Sequence, residues 1–230
     1  MKPAFWSRRL HKWLGLLVGI QALLWMVSGL YMTAISIDLI HGDHLAHLEQ
    51  GELRAAQLAA APQQAAAPLS GVTGFRIRQS QGSEVYQVRH AGGVALVDAR
   101  SGRPLAAPDE KTVRALAASY YQGEGELARL QLLTVLPGEV ARRKAPLWRA
   151  DFDDASGTTL YLSPHSGELV AKRHDLWRAY DFLWMLHIMD YNTRDNINNT
   201  LLRVAAAIGT LFALSGAWLL WYSFRRRAAA

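Results

Sequence analysis

Residues 13–37 carry no formal charge over 25 positions, and residues 204–224 carry none over 21. A helix rising about 1.5 Å per residue crosses a hydrocarbon layer of roughly 30 Å in about 20 residues, so both stretches predict membrane-spanning helices. Between them the hydrophobic period changes. Residues 52–68, rich in Ala, Gln and Pro, read as a short helix and linker. β-forming residues then cluster over 72–79, 84–90 and 93–99, with Gln81-Gly82 as a hairpin turn. The spacing of Val113, Leu116, Ala117 and Tyr120 predicts a helix over 109–122, with Asp109 as N-cap and Gly123 beyond its end. Further strands are expected over 127–135, 146–152, 158–163 and 168–172. An apolar, aromatic helix over 176–191 and a polar bend over 192–199 lead into the second span.

The strands contain a repeat. Residues 85–105 align with 147–169 as strand, tight turn, strand and a closing turn, Asp98-Ala-Arg-Ser-Gly102 in one copy and Ser163-Pro-His-Ser-Gly167 in the other. Glycine at the end of each turn suits a left-handed backbone, which makes Asp98 and His165 turn residues rather than catalysts. The spans also echo each other: Ser28-Gly29 and Ser215-Gly216 stand near mid-span, and Gly15 with Gly19 forms a G-x-x-x-G. Small residues of this kind let helix backbones approach, so the helices are expected to pack on each other or on another copy.

This repeated hairpin resembles the PepSY domain. Arg9-Leu-His-Lys-Trp-Leu-Gly15 with Val27-Ser-Gly-Leu-Tyr31, and Leu186-His187 with the span around Ser215-Gly216, resemble the PepSY-associated transmembrane family. The resemblance covers nearly the whole chain. It implies an α+β membrane protein, with two transmembrane helices flanking an extracytoplasmic domain of two PepSY-like β-hairpin and helix repeats. The divisions expected are a cytoplasmic N-terminus (1–12), first span (13–37), linker and helix (38–70), PepSY-like periplasmic domain (71–172), interfacial helix and bend (173–203), second span (204–224) and cytoplasmic C-terminus (225–230). Larger relatives with four spans are linked to siderophore or ferric iron reduction and bind b-type haem through histidines; this chain has two spans.

Charge supports the same topology. The chain has 25 Lys and Arg against 19 Asp and Glu. Residues 1–37 hold Lys2, Arg8, Arg9 and Lys12, and residues 204–230 hold Arg225, Arg226 and Arg227, all without an acid, so the ends carry +7 and the middle −1. Positive flanks favour the cytoplasm, which puts both termini on the cytoplasmic side and the central domain outside; the family resemblance implies a bacterial inner membrane, with that domain in the periplasm. The aromatic residues Trp6, Trp13, Trp218, Trp221 and Tyr222 fall where an inner interfacial belt would lie. Because the basicity belongs to the membrane flanks, nucleic acid is not an expected partner. The bilayer is, together with other membrane subunits or a second copy.

There is no cysteine, which removes disulfides, thiolate metal sites, covalently attached haem and a cysteine nucleophile. Neither span contains an acid for ion coupling, and no hydrolase, P-loop or dinucleotide motif occurs, so a transporter or hydrolase is not expected. The acids Asp153 and Asp154 fall in a predicted turn. Chemistry is left to eight histidines. Of these, His90, His165 and His174 read as surface or turn residues.

His41, His44 and His47 follow the first span, and His187 precedes the second. A b-type haem with two histidine ligands needs imidazoles at one membrane depth, and His44 or His41 with His187 meets that condition. His11 lies about 45 Å of helix from His41, so as a ligand it would need a partner from another chain. Asp43 and Asp190 are candidates to orient the imidazoles. His41 and His44 also suggest a divalent metal pair if the helix continues through Gly42. Two functions follow: a haem-bearing or haem-adjacent subunit of a membrane electron-transfer system for metal or siderophore reduction, or a noncatalytic accessory or regulatory subunit that docks a larger complex and binds an exterior protein.

Overall fold

A computed structural model of the chain describes residues 3–47, 53–54, 58–80 and 82–227, with side chains described from residue 12 to 218 of these. The chain is α+β and separates into two compact units, Met1–Ile37 with Ala179–Ala230, and Asp38–Arg178.

The first unit holds the two long apolar helices, α1 (Pro3–Ala34) and α6 (Thr200–Arg227). Their contact stripe follows helical spacing. Gly15, Val18, Ala22, Trp25 and Gly29 are partly covered on α1, as are Leu202, Ala205, Gly209, Phe212 and Gly216 on α6. A Cβ on Gly15 would lie 3.1 Å from the Phe212 ring, so this glycine admits the ring to the α1 backbone, whereas Gly19 faces open space. The expected glycine packing between the two helices is therefore seen at Gly15; Gly29 lies beside His187, and Gly216, like Gly19, has no neighbour within 4 Å of a Cβ. Ser215 is exposed and returns its hydroxyl to the Phe212 carbonyl at 2.7 Å. Elsewhere the two helices present large apolar side chains outward, among them Leu17, Met26, Leu30, Leu211 and Trp218, each 67 to 70% exposed. In water such a surface would be costly; against lipid it costs nothing.

The second unit contains a short helix α2 (Ile37–His41), then α3 (Pro62–Ala66), strands β1 (Gly74–Ser80), β2 (Ser83–His90), β3 (Gly93–Asp98) and β4 (Pro104–Leu105), helix α4 (Glu110–Tyr120), and strands β5 (Leu127–Leu133), β6 (Leu147–Phe152), β7 (Thr159–Leu162) and β8 (Leu169–Arg173). They form two four-stranded antiparallel meanders, β1-β2-β3-β4 and β5-β6-β7-β8. Each is preceded by a helix laid on one face. Ala65 of α3 joins Tyr86, Val88 and Val97; Val113, Leu116, Ala117 and Tyr120 of α4 join Ala150, Phe152, Leu160 and Leu162. Asp109 caps α4 by accepting the Thr112 N–H at 2.8 Å. The repeat is thus longer than the hairpin legible in the sequence: helix plus meander, twice.

The two closing turns superpose bond for bond. Asp98 N–H donates to the Arg103 carbonyl and Gly102 N–H to the Asp98 carbonyl; Ser163 and Glu168, Gly167 and Ser163 repeat both bonds. The side chain of Asp98 accepts from Ser101 N–H at 2.7 Å, and Ser163 Oγ accepts from Ser166 N–H at 3.3 Å. Gly102 and Gly167 have φ of 71° and 65°, in the left-handed region that favours glycine.

Residues 38–47 belong to this unit and pack on its second repeat. Gly42, with φ 70°, ends α2 at His41. The chain then bridges Ala46 to Tyr121, His47 N–H donating to Tyr120 O and Gln122 N–H to Leu45 O. Ile40 is fully buried, and its carbonyl lies 3.0 Å from Nε2 of His174. His174 is itself only 2% exposed, which corrects its reading as a surface or turn residue. It immediately follows β8, and nothing in its immediate sequence reveals that a segment 134 positions upstream covers it.

Burial pushes the His174 imidazole below its ordinary value, against the opposing effect of the Ile40 carbonyl; His44 and Arg178 lower it further and Asp175 raises it. A lowered folded value means that the unfolded chain takes up the proton first. The stability that neutral His174 confers is complete above about pH 6.5 and declines as pH falls through that point. Acidification from about pH 7.5 to 5.5 is expected to lower the melting temperature less in His174→Gln, whose amide keeps a donor for Ile40, than in the wild type. Equal acid losses in melting curves would reject this role.

Candidate functional site

α5 (Asp175–Ile188) carries His187 on its last turn. Two hydrogen bonds tie this turn to α1: Trp25 Nε1 donates to the His187 carbonyl at 2.8 Å, and His187 Nδ1 lies 2.8 Å from the Ser28 hydroxyl. Ser28 is fully buried, and its one hydroxyl proton has the Leu24 carbonyl as acceptor at 2.7 Å. When that proton goes to Leu24, Nδ1–H of His187 is the donor and the imidazole lone pair is left on Nε2. Serine at 28 is thus more than a packing residue. Its hydroxyl bonds the ring of a histidine from another helix.

The surroundings fix the ring further. A Cβ on Gly29 would lie 3.8 Å from His187 Cε1, so the helix surface beside the imidazole is bare. Trp184 lies nearly parallel to His187, with centroids 6.4 Å apart and planes at 9°, and Tyr180 continues the row behind Trp184. The segment after α5 folds back on it. Trp184 Nε1 donates to the Arg194 carbonyl at 3.0 Å, Arg194 pairs with the buried Asp181, and Asn199 donates to the Ile188 carbonyl at 2.8 Å. Met189 and Arg194 take φ of 53° and 57° to make this return. Ser28 lies six residues inward of the end of α1 at Ala34, about 9 Å along the axis, which is the depth of His187 on that helix.

The other sequence candidates fall differently. His41, His44 and His47 are exposed and belong to the second unit. His44 sits in the turn after Gly42, not on a helix with His41, and its ring meets His174 edge to face at 5.9 Å. Among the described residues no three His, Cys, Asp or Glu side chains gather as for a metal ion. His11 lies on α1, 17 residues from Ser28, and its side chain is outside the described residues.

Neither acid orients an imidazole as expected. Asp43 accepts from Lys172 Nζ, and that bond holds its carboxyl below the usual range. Asp190 closes the turn after α5, accepting from the Thr193 hydroxyl and from the N–H groups of Asn192, Thr193, Asp195 and Asn196; this ring of donors holds it well below the usual range. Asp154 likewise serves its turn, taking the N–H and hydroxyl of Thr158 at 2.7 and 2.6 Å.

Two apolar helices packed through small residues, a histidine held against one of them, and a twice-repeated helix-and-meander unit define an α+β membrane protein. The model of the PepSY-associated TM region matches residues 8–230, and the chain belongs to that family. Searches of the curated proteins and of the solved structures found no match.

Proposed function

We propose that this protein is a haem-bearing subunit of a membrane electron-transfer system, serving metal or siderophore reduction, with His187 as an axial ligand. The observation that carries the reading is the bond between His187 Nδ1 and Ser28, which leaves Nε2 as the ligating nitrogen. A ligating histidine characteristically gives its other N–H to a fixed acceptor, and here the acceptor is buried on a membrane helix. The donor set fits a b-type haem: a neutral imidazole, a bare helix surface at Gly29 and no thiolate anywhere in the chain. The haem would supply one-electron redox chemistry. The chain's part is to hold the imidazole: Ser28 sets its tautomer, Trp25 anchors the backbone that bears it, and Trp184 restricts its ring.

A second histidine would complete the hold on the haem, His44 or His41 in this chain or His11 from another copy, and each is substituted in turn to find it. In this reading both termini are cytoplasmic, the repeats lie in the periplasm, and electrons leave the membrane toward an acceptor there. The test is a reduced-minus-oxidised absorption spectrum of detergent-purified protein. A b-type signal at stoichiometric occupancy supports the reading. A pure, colourless protein overturns it in favour of the accessory subunit that docks a larger membrane complex.

A further inference from the structure

Side chains of the first meander bond the closing turn of the second repeat, Arg78 donating to the Ser166 carbonyl at 2.7 Å, and a cleft of about 390 Å³ opens beside this junction. Its walls come from one face of β1 and β2 and from the closing turn of the second repeat. Strand register explains the charge there. Arg76 stands opposite Gln87 and Gly74 opposite Arg89 across the β1-β2 pair, so Arg76, Gln87 and Arg89 project from one face.

Glu168 occupies one end of the cleft. Arg76 and Gln87 bind its two oxygens, Gln87 Nε2 at 2.8 Å. Burial raises the Glu168 carboxyl, but these two bonds outweigh it and hold the group below the usual range, so it is ionised and committed. The lining side chains therefore carry two guanidinium charges against one carboxylate.

Arg89 is the surplus charge. It is exposed, and its side chain has no ion pair or hydrogen bond among the described residues. Its guanidinium nevertheless has a defined place, lying over Gly74, where a Cβ would come within 2.7 Å of Nε and 2.9 Å of Nη2. An arginine laid over a glycine keeps one edge of its planar fork for an incoming group. Phe75, Val94 and Val170 supply apolar walls, and Ser163 and Ser166 hydroxyl groups. The neighbouring hollow, of about 500 Å³, has only Asp98 and Asp109 as charged lining residues, and both are spent on their own turns.

We infer that the cleft between the repeats is a binding site for a carboxylate carried on a small apolar body, with Arg89 as its principal anchor. A guanidinium and a carboxylate match as paired donors and acceptors, and a net positive, half-apolar cleft of this volume selects such a ligand over a cation or a neutral sugar. The site does not depend on the haem reading. It lies wholly in the second unit and has its own readout.

The test uses the full chain in detergent, titrated by calorimetry with 3-phenylpropionate, with its neutral amide, and with the peptide acetyl-Ala-Ala-Phe. The acid should bind saturably, and the amide at least ~10-fold more weakly, since only the carboxylate forms a charge-assisted pair with the guanidinium. Arg89→Met and Gly74→Ala should each lose ~10-fold or more in affinity for the acid, the first by removing the guanidinium and the second by displacing it. Arg89 has no structural partner, so its variant should keep the wild-type melting temperature. A peptide bound more tightly than the free acid assigns the carboxylate to a chain terminus, and the reverse order assigns it to a free organic acid. Absence of saturable binding, or undiminished binding by Arg89→Met, overturns the inference.

Discussion

His187→Ala is expected to erase the b-type absorption difference of the purified protein while leaving the melting behaviour of the second unit unchanged. In the proposed reading the imidazole both ligates haem and bonds Ser28, and substitutions separate the two. His187→Gln retains a polar group for Ser28 without an imidazole ligand and should also be colourless. Ser28→Ala retains the imidazole and removes only the acceptor of Nδ1–H. Loss of such an outer partner typically costs about 10- to 100-fold in metal affinity, so this variant should bind haem weakly and lose it on dilution. A Ser28→Ala protein that holds haem as firmly as the wild type would show that the serine merely packs. A His187→Ala protein with an undiminished spectrum would move the ligand elsewhere.

The closing turns allow a paired stability experiment, because equivalent glycines meet different neighbours. Gly102→Ala introduces a Cβ at φ 71° with only the Ala60 methyl nearby, at 3.2 Å. The cost should be close to that of left-handed backbone alone, about 1 kcal/mol. Gly167→Ala introduces the same backbone strain and sets Cβ 2.3 Å from Cδ1 of Leu116, a residue only 6% exposed in the core under α4. Overpacking of this kind adds about 1 to 3 kcal/mol, for a total of roughly 2 to 4. Thermal or denaturant unfolding should therefore rank Gly167→Ala well below Gly102→Ala. Equal losses would mean that Leu116 gives way freely.

What was legible in the sequence is the local part of the fold. Charge-free length marked both apolar helices; the spacing of Val113, Leu116, Ala117 and Tyr120 marked the buried face of α4; and Ser-Gly at the end of each hairpin marked the turns. β4 was not legible, because two residues, Pro104 and Leu105, carry no alternation. Long-range partnerships were hidden for the same reason: nothing local distinguishes His174 from His165, although one is buried and the other exposed. At the candidate site, His187 stood out by residue type and Ser28 by position. Their meeting depends on α5 lying against α1. Asp43 and Asp190 attracted attention as neighbours in sequence to histidines, yet each carboxylate finds nearer donors, in Lys172 and in its own turn.

Residues 38–47 bear on how the repeats can be isolated. A fragment cut at residue 71 would begin beyond the strip that covers Tyr120 and Tyr121, leaving two backbone groups without partners and the imidazole of His174 without its carbonyl. Lys172 would lose both the Asp43 carboxylate and the Ala46 carbonyl. Such a piece would bare a raw edge prone to self-association, whereas one starting at Asp38 carries its own seal.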